Sequence, residues 1–423
     1  MAHSAGNGAR CLIFVDRKNS TAVSESVVQQ PQKTPPIAPY LAAHRDRLIA
    51  FRRDVHAHPE LSFQEERTTG RIVEALTEAG LQPVRLRGTG AYVEIGEGEL
   101  VMGLRADIDA LPLAERTGLD FASLNAGVCH ACGHDIHTTV MLGVALVLKD
   151  LHDAGRLRGR ARVIFQPAEE RMPGGAKAVI EQGVLDGVPS VLALHCEPRI
   201  DVGHIGTRIG AITSASDTVR IKLVGRGGHT SRPHLTEDLV FALSQIAIGV
   251  PAVLSRRIDV RSAVSVVWGQ INAGNAPNAI PSVGTLSGTM RCLDGQAWEG
   301  AGELLDEVVA QVAAPYNVEV ELEHIRGVPP VVNAPAETAL IEDAARQEIG
   351  ADAIELTPQS MGGEDFAWMT QMRPGAMFRL GTRTPGGEIY DLHQGNYRPD
   401  ERAIDTGVRV MAAAVLRAMD QRG

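Results

Sequence analysis

Apolar residues recur along this 423-residue chain in two rhythms, and the order of those rhythms predicts its architecture. From Leu41 the spacing is helical, with Leu41, Leu48, Phe51 and Val55 on one face. A second helical pattern runs from Gln64 to Ala79, and Gly80 follows where a left-handed residue most easily ends a helix. Short apolar runs then read as buried strands: Ala91 to Ile95, Val101 to Arg105, Ala161 to Phe165 and Ser190 to Leu194. Helical patterns from Thr138 to Asp153 and from Gly175 to Gly183 lie between them. Such alternation predicts a mainly parallel α/β sheet, whose ligand sites form beyond the carboxyl ends of its strands.

The texture changes near Thr213. Asp217 to Val224 alternates as a strand, Glu237 to Leu254 is helical, Val264 to Ile271 and Thr285 to Arg291 are strands, Trp298 to Ala313 is helical, and Val318 to His324 is a strand. This β-α-β-β-α-β order is that of a ferredoxin-like module. Ala336 to Glu348, Gly375 to Leu380 and Ala403 to Met419 then resume the first pattern. The expected division is therefore a first domain from residues 40–212 and 327–423, with residues 213–326 inserted as a second. Residues 1–39 lack periodicity, are rich in Ser, Gln and Pro, and read as a disordered extension or linker. No internal repeat is visible.

Composition narrows the function. The chain is too long for one ordinary core. Its 44% hydrophobic and 22% charged residues are those of a soluble globular protein. A formal charge of −10 argues against nucleic acid or an anionic membrane as the main partner. An anionic substrate would have to be met by local cations or by metal. Five scattered cysteines do not form a disulfide framework. The apolar piece Cys11 to Val15 is shorter than the roughly 7–15 residues of a signal-peptide core. No segment is expected to reach the ~20 apolar residues of a membrane span, so a reducing cytoplasm is the expected compartment.

Three clusters carry chemistry. Cys129-His130-Ala131-Cys132-Gly133-His134-Asp135-Ile136-His137 packs thiols, imidazoles and a carboxylate into one turn that opens a helix, more metal-ligand chemistry than a fold needs. Asp107-Ile108-Asp109 follows one strand, where alternation points both aspartates to one side. Taken alone they serve equally well as turn or cap residues. Glu169-Glu170 follows another strand. Neighbouring carboxylates are costly to bury unless a metal or proton shares their charge, so one is expected to bind metal and the other to handle protons. An isolated pair would more often be a solvated loop entrance. His195 ends the run Val191 to Leu194, where a lone histidine is more often a satisfied core residue, and His393 is weaker still on local grounds. Cys129 and Cys132 also fit a redox C-x-x-C, but that leaves the nearby histidines unexplained.

Six segments occur together in order: Arg53-Asp54-Val55-His56-Ala57-His58-Pro59-Glu60-Leu61-Ser62, Leu104-Arg105-Ala106-Asp107-Ile108-Asp109-Ala110-Leu111-Pro112, His130-Ala131-Cys132-Gly133-His134-Asp135, Phe165-Gln166-Pro167-Ala168-Glu169-Glu170, Gly227-Gly228-His229 and Gly363-Glu364-Asp365-Phe366. Together they closely resemble the metal-dependent amidohydrolases of the M20 peptidase family, in the subgroup of hippurate hydrolase, N-acyl-amino-acid aminoacylases and auxin-conjugate hydrolases. The resemblance runs from about Leu41 to Met419. It implies a metallohydrolase catalytic domain with a ferredoxin-like lid that doubles as the interface of a homodimer or dimer of dimers. It also implies two divalent ions per subunit, Zn, Mn, Co or Ni, held by Cys132, His134, Glu170, His195 and His393.

By the same resemblance Glu169 is the general base, and His229 is a lid histidine that reaches a partner subunit's site to polarise the scissile carbonyl. Asn278 and Arg291 match lid positions near the substrate. One segment departs: the family usually has His-[His/Asn/Ser]-Pro-x-[Phe/Tyr] around its last ligand, whereas this chain has His393-Gln394-Gly395-Asn396-Tyr397. The implied activity is hydrolysis of N-acyl amino acids or related small amides. The competing readings are a non-catalytic metal-loaded binding protein on the same fold and a redox protein using Cys129 and Cys132.

Overall fold

A computed structural model of the chain describes residues 35–422. Its larger sheet has eight strands in the order Val84–Arg85, Ala91–Gly96, Arg160–Gln166, Leu100–Asp107, Val191–Asp201, Gly375–Arg383, Ile205–Thr207 and Ile354–Leu356. The four strands from Arg160–Gln166 to Gly375–Arg383 are mutually parallel. Antiparallel pairs flank them on both sides. Every residue of Leu100–Asp107 is buried, as expected of a parallel strand covered on both faces.

The helix His134–Asp153 explains why this sheet ends in a site. Its residues from His134 to Leu148 are all buried, because Arg45–Ala57 and Ala403–Arg422 pack around it. Gly143 lets these helices meet, since a Cβ there would lie 2.6 Å from Val408 and 2.9 Å from Leu48. The polar start of the helix is thereby fixed at the ends of the parallel strands.

The segment after residue 213 builds a separate four-stranded antiparallel sheet in the order Ser265–Ala273, Val283–Cys292, Ala215–Val224 and Glu319–Val328. In chain order this is second, third, first, fourth, the ferredoxin-like arrangement expected from the sequence. Leu239–Arg257 and Gly295–Ala313 cover it and share its apolar core, which includes Val219, Ile221, Leu243, Leu286 and Leu305.

Several expectations need correction. The first helix is two, Ala38–Ala42 and Arg45–Ala57, although Leu41, Leu48, Phe51 and Val55 are all buried as expected. At the break, His44 Nε2 meets Asp150 Oδ2 at 2.7 Å. Residues 1–34 of the expected extension lie outside the described residues. Ile37 is buried and a helix begins at Ala38, so order begins before residue 40. The strand expected to stop at Leu194 continues to Asp201, because Gly375–Arg383 pairs with it beyond that point. His195 is therefore mid-strand. The helix Leu239–Arg257 is long and apolar enough to cross a membrane by length and composition, contrary to the expectation for the whole chain. Leu239, Leu243, Ile246 and Val250 on it are buried, while Phe241 and Ile248 are exposed.

Gly143→Leu should overpack the helix contact and lower the unfolding free energy by about 1–3 kcal/mol in a denaturant titration. An unchanged midpoint would show that the helices can separate without cost.

Candidate metal centre

Two parallel strands deliver the site. Asp107 and Gln166 are register partners at the ends of their strands, and the chain leaves each in a loop. The loop after Gln166 turns at Ala168, a non-glycine residue at φ +57°, whose N–H donates to Glu65 Oε1 at 2.8 Å. The loop before the long helix turns at Gly133, φ +89°, where a Cβ would lie 2.7 Å from Cys196 Sγ. Only glycine combines that angle with that approach.

Asp109 joins the two loops. Its carboxylate accepts the N–H groups of Glu169 and Glu170, each at 3.0 Å, and the Ser62 hydroxyl at 2.6 Å. Its main-chain oxygen lies 2.9 Å from His134 Nδ1, and one carboxylate oxygen lies 3.3 Å from the same nitrogen. That bond directs His134 Nε2 into the site, 3.7 Å from Asp107 Oδ1 and 3.9 Å from Glu170 Oε1. His195 is fixed in the same way: Nδ1 donates to Cys196 O at 2.8 Å, leaving the Nε2 lone pair 3.5 Å from Cys132 Sγ. His393, at φ +59°, donates its backbone N–H to Ala131 O and brings Nε2 to 3.2 Å from Glu170 Oε1.

These donors fit divalent cations. Cys132, His134 and His195 form one group of converging ligand atoms, Cys132, Glu170 and His393 a second, and His134, Glu169 and Glu170 a third. His134 Nε2 is buried with no hydrogen-bond partner among the described residues, the state expected of an atom that completes its bonding with an ion. His137 differs: Nδ1 meets Asp107 at 2.6 Å and Nε2 accepts the Cys196 N–H at 2.8 Å, so both nitrogens are engaged.

The charges agree. Burial pulls the His134 imidazole down, but Asp107 and Asp109 outweigh it and raise it to about 10. A positive charge is favoured where the ligands converge. Burial, then Arg379 and His137, push His195 well below its ordinary value and keep it neutral. Burial, then Glu364 and Glu170, push Glu169 well above the usual carboxylate range. Arg105 lies beneath, 2.6 Å from Asp107, 3.0 Å from Glu364 and 2.6 Å from Asp365. Above this floor is a cavity of about 450 Å³ lined by Cys132, Glu169, Glu170, His195, Arg291, Glu364, Arg379 and His393, among others.

Residues 103–417 match peptidase family M20/M25/M40. The chain belongs to that family. A Rhodococcus jostii protein provisionally named a glutamate–cysteine ligase is 47% identical over 380 residues, covering 89% of this chain and 47% of that protein. This chain thus spans about half the length of that relative. The N-acetyl-L-cysteine deacetylase of Bacillus subtilis is 36% identical over 384 residues, covering 90% of each chain. A crystal structure of a Bacillus subtilis protein described as a dinuclear metal binding peptidase from the M20 family superposes with a TM-score of 0.77 at 33% identity, covering 89% of this chain and 99% of that one.

In this M20 chain, Cys132, His134, Glu169, Glu170, His195 and His393 come together around one cavity, and Arg291 lines it from the smaller sheet. His229 and Asn278 do not line it. His229 is exposed and lies in a two-residue strand, Gly228–His229, paired with Ala279–Ile280, and Asn278 O accepts the Thr230 N–H beside it. The departure at Gly395 has a local cause, because a Cβ there would lie 2.2 Å from Ala114 O. Burial raises the thiols of Cys129, to about 11, and of Cys132, the opposite of what a reactive redox pair requires. Sequence reasoning left Asp109 between two roles and gave Arg105 and Arg379 none. The arginine inside the apolar run of Gly375–Arg383 was the available signal.

Asp109→Ala removes the acceptor that holds both glutamates and His134. Divalent-metal affinity, measured by competition with a chromophoric chelator, should weaken about 10–100-fold. Unchanged affinity would mean that the loops hold their shape without it.

Proposed function

We propose that this chain hydrolyses the amide bond of N-acyl amino acids or related small amides, with Cys132, His134, Glu170, His195 and His393 holding two divalent ions, Zn, Mn, Co or Ni, per chain. The observation that carries the reading is Glu169: a buried carboxylate of raised proton affinity, at the wall of the cavity where the five donors converge. When bound, such ions lower the pKa of water toward ~7 and polarise a carbonyl.

The protein's own residues do the rest. Glu169 takes a proton from the attacking water and returns it to the leaving amine. Burial first, then its neighbours Glu364 and Glu170, raise its affinity for that proton and so suit it to hold the proton between the two steps. Arg291 binds the substrate from the smaller sheet. A protein that merely stores metal has no use for Glu169, which counts against the non-catalytic alternative. The N-acetyl-L-cysteine deacetylase name of a relative matched over 90% of each chain supports an N-acyl substrate.

We further infer a homodimer through the smaller sheet. Val267 and Ile271 are exposed on its edge strand Ser265–Ala273, and Ile248 on the neighbouring helix, which supports pairing between copies there. His229 and Asn278 would then serve the cavity of the neighbouring copy, with His229 donating to the developing oxyanion. A thiolate ligand at Cys132 suits a reducing compartment, the cytoplasm.

Glu169→Gln should lower kcat on N-acetyl amino acids about 10²–10⁴-fold while metal content stays at the wild-type value. Near-normal turnover would remove Glu169 from the mechanism. Dialysis against chelator should abolish release of free amino acid, and added Mn²⁺ or Zn²⁺ should restore it. Chelator-resistant hydrolysis would refute the metal requirement.

A further inference from the structure

The cavity holds a charge that the amide chemistry leaves unused. Arg379 lies mid-strand in Gly375–Arg383, in register with His195, and is only 5% exposed. Its side chain lines the cavity, yet it forms no hydrogen bond or ion pair with any described residue. Other buried arginines here are neutralised by contact: Arg52 by Asp135 at 2.8 Å and Arg105 by three carboxylates. Glu197 and Glu364 attract Arg379 only at longer range, and Glu364 is already in contact with Arg105.

A buried, unpaired guanidinium is costly, and a cation beside a site for cations is more so. An anion in the cavity removes both costs. The second guanidinium of the cavity, Arg291, donates Nη1 to Met361 O at 2.6 Å and has no carboxylate partner among the described residues either. The planar fork of arginine matches a carboxylate with two parallel N–H···O bonds.

We propose that Arg379 is a specificity-determining residue that receives a free carboxylate of the substrate, with Arg291 as the second cation of the same cavity. The proposal rests on the hydrolase reading above and narrows it to amides that carry a carboxylate away from the scissile bond. That group can stand on the amine side, as in an N-acyl amino acid, or on the acyl side, as in the half-amide of a dicarboxylic acid.

The test compares the metal-loaded full chain with Arg379→Gln, Arg379→Met and Arg379→Lys on three substrates of matched size. These are an N-acetyl amino acid, the N-acetyl alkylamine without its carboxylate, and an N-succinyl alkylamine. The wild type should prefer a carboxylate substrate, and the ratio of kcat/KM over the carboxylate-free amide should fall about 10–100-fold in Gln and Met, with partial recovery in Lys. The substrate that shows the fall identifies the side on which the carboxylate stands. An unchanged ratio, with hydrolysis intact, overturns the proposal and leaves the hydrolase reading standing.

Calorimetric binding of the free amino acid and of succinate supplies a readout that needs no turnover. About tenfold weaker binding of either in Arg379→Gln supports the proposal even where no amide is hydrolysed. Equal binding of both overturns it. Replacing an unpaired buried charge should leave Tm at or above the wild-type value, so folding does not obscure the comparison.

Discussion

Five acidic side chains, Asp107, Glu169, Glu170, Glu364 and Asp365, are gathered at one end of a parallel sheet, and the cost of withdrawing them from water governs the structure around them. Each ionised carboxylate taken into a protein interior costs several kcal/mol unless it is paired. Arg105 answers part of that cost through Asp107, Glu364 and Asp365, and His137 answers more at Asp107. Even so, burial raises Asp365 to about 7 and holds Glu169 well above the usual carboxylate range. What is left unpaired is the side of the cluster that faces Cys132, His134, His195 and His393. A pair of divalent cations held there would complete the balance, and on the proposed reading Glu169 would be the carboxylate left with a proton to exchange.

The scaffold exists to hold that imbalance still. His134 opens a helix whose first fifteen residues are all buried, so it cannot retreat from the strand ends. Asp109 and Glu65 fasten the glutamate loop by its backbone rather than by its side chains, which leaves Glu169 and Glu170 free to act. The tautomers of His134 and His195 are set by main-chain oxygens outside the cluster. The two histidine nitrogens are therefore oriented by neighbours outside the cluster, the usual way that ligand geometry is kept.

Much of this was legible in the sequence, for identifiable reasons. Short apolar runs and the periods of 2 and 3.6 residues separate strands from helices, and the parallel core of the larger sheet and the β-α-β-β-α-β order follow from them, whereas the short flanking strands Val84–Arg85, Ile205–Thr207 and Ile354–Leu356 do not. The metal-like residues stand out because Cys132 and His134 crowd into a turn that opens a helix and Glu170 falls just after an apolar run ends. Illegible features depend on partners distant in sequence. The strand through His195 runs on to Asp201 because Gly375–Arg383 lies beside it, which no local pattern records. Asp109 looks like a turn residue until the loop with Glu169 and Glu170 folds over it. Arg379 reads as an ordinary strand residue until it is seen to have no hydrogen bond or ion pair with any described residue. Gly395 replaces the family's proline in contact with Ala114, some 280 positions away in the chain.

The most direct test of the account is the coordination of the metal itself. Loaded with Co²⁺, the protein should bind two ions per chain and show a thiolate-to-cobalt charge-transfer band if Cys132 is a ligand as proposed. Cys132→Ser should abolish the band and weaken binding. Two bound ions without any thiolate band, or a band unchanged in Cys132→Ser, would contradict the assignment of the ligands from which the mechanism was built.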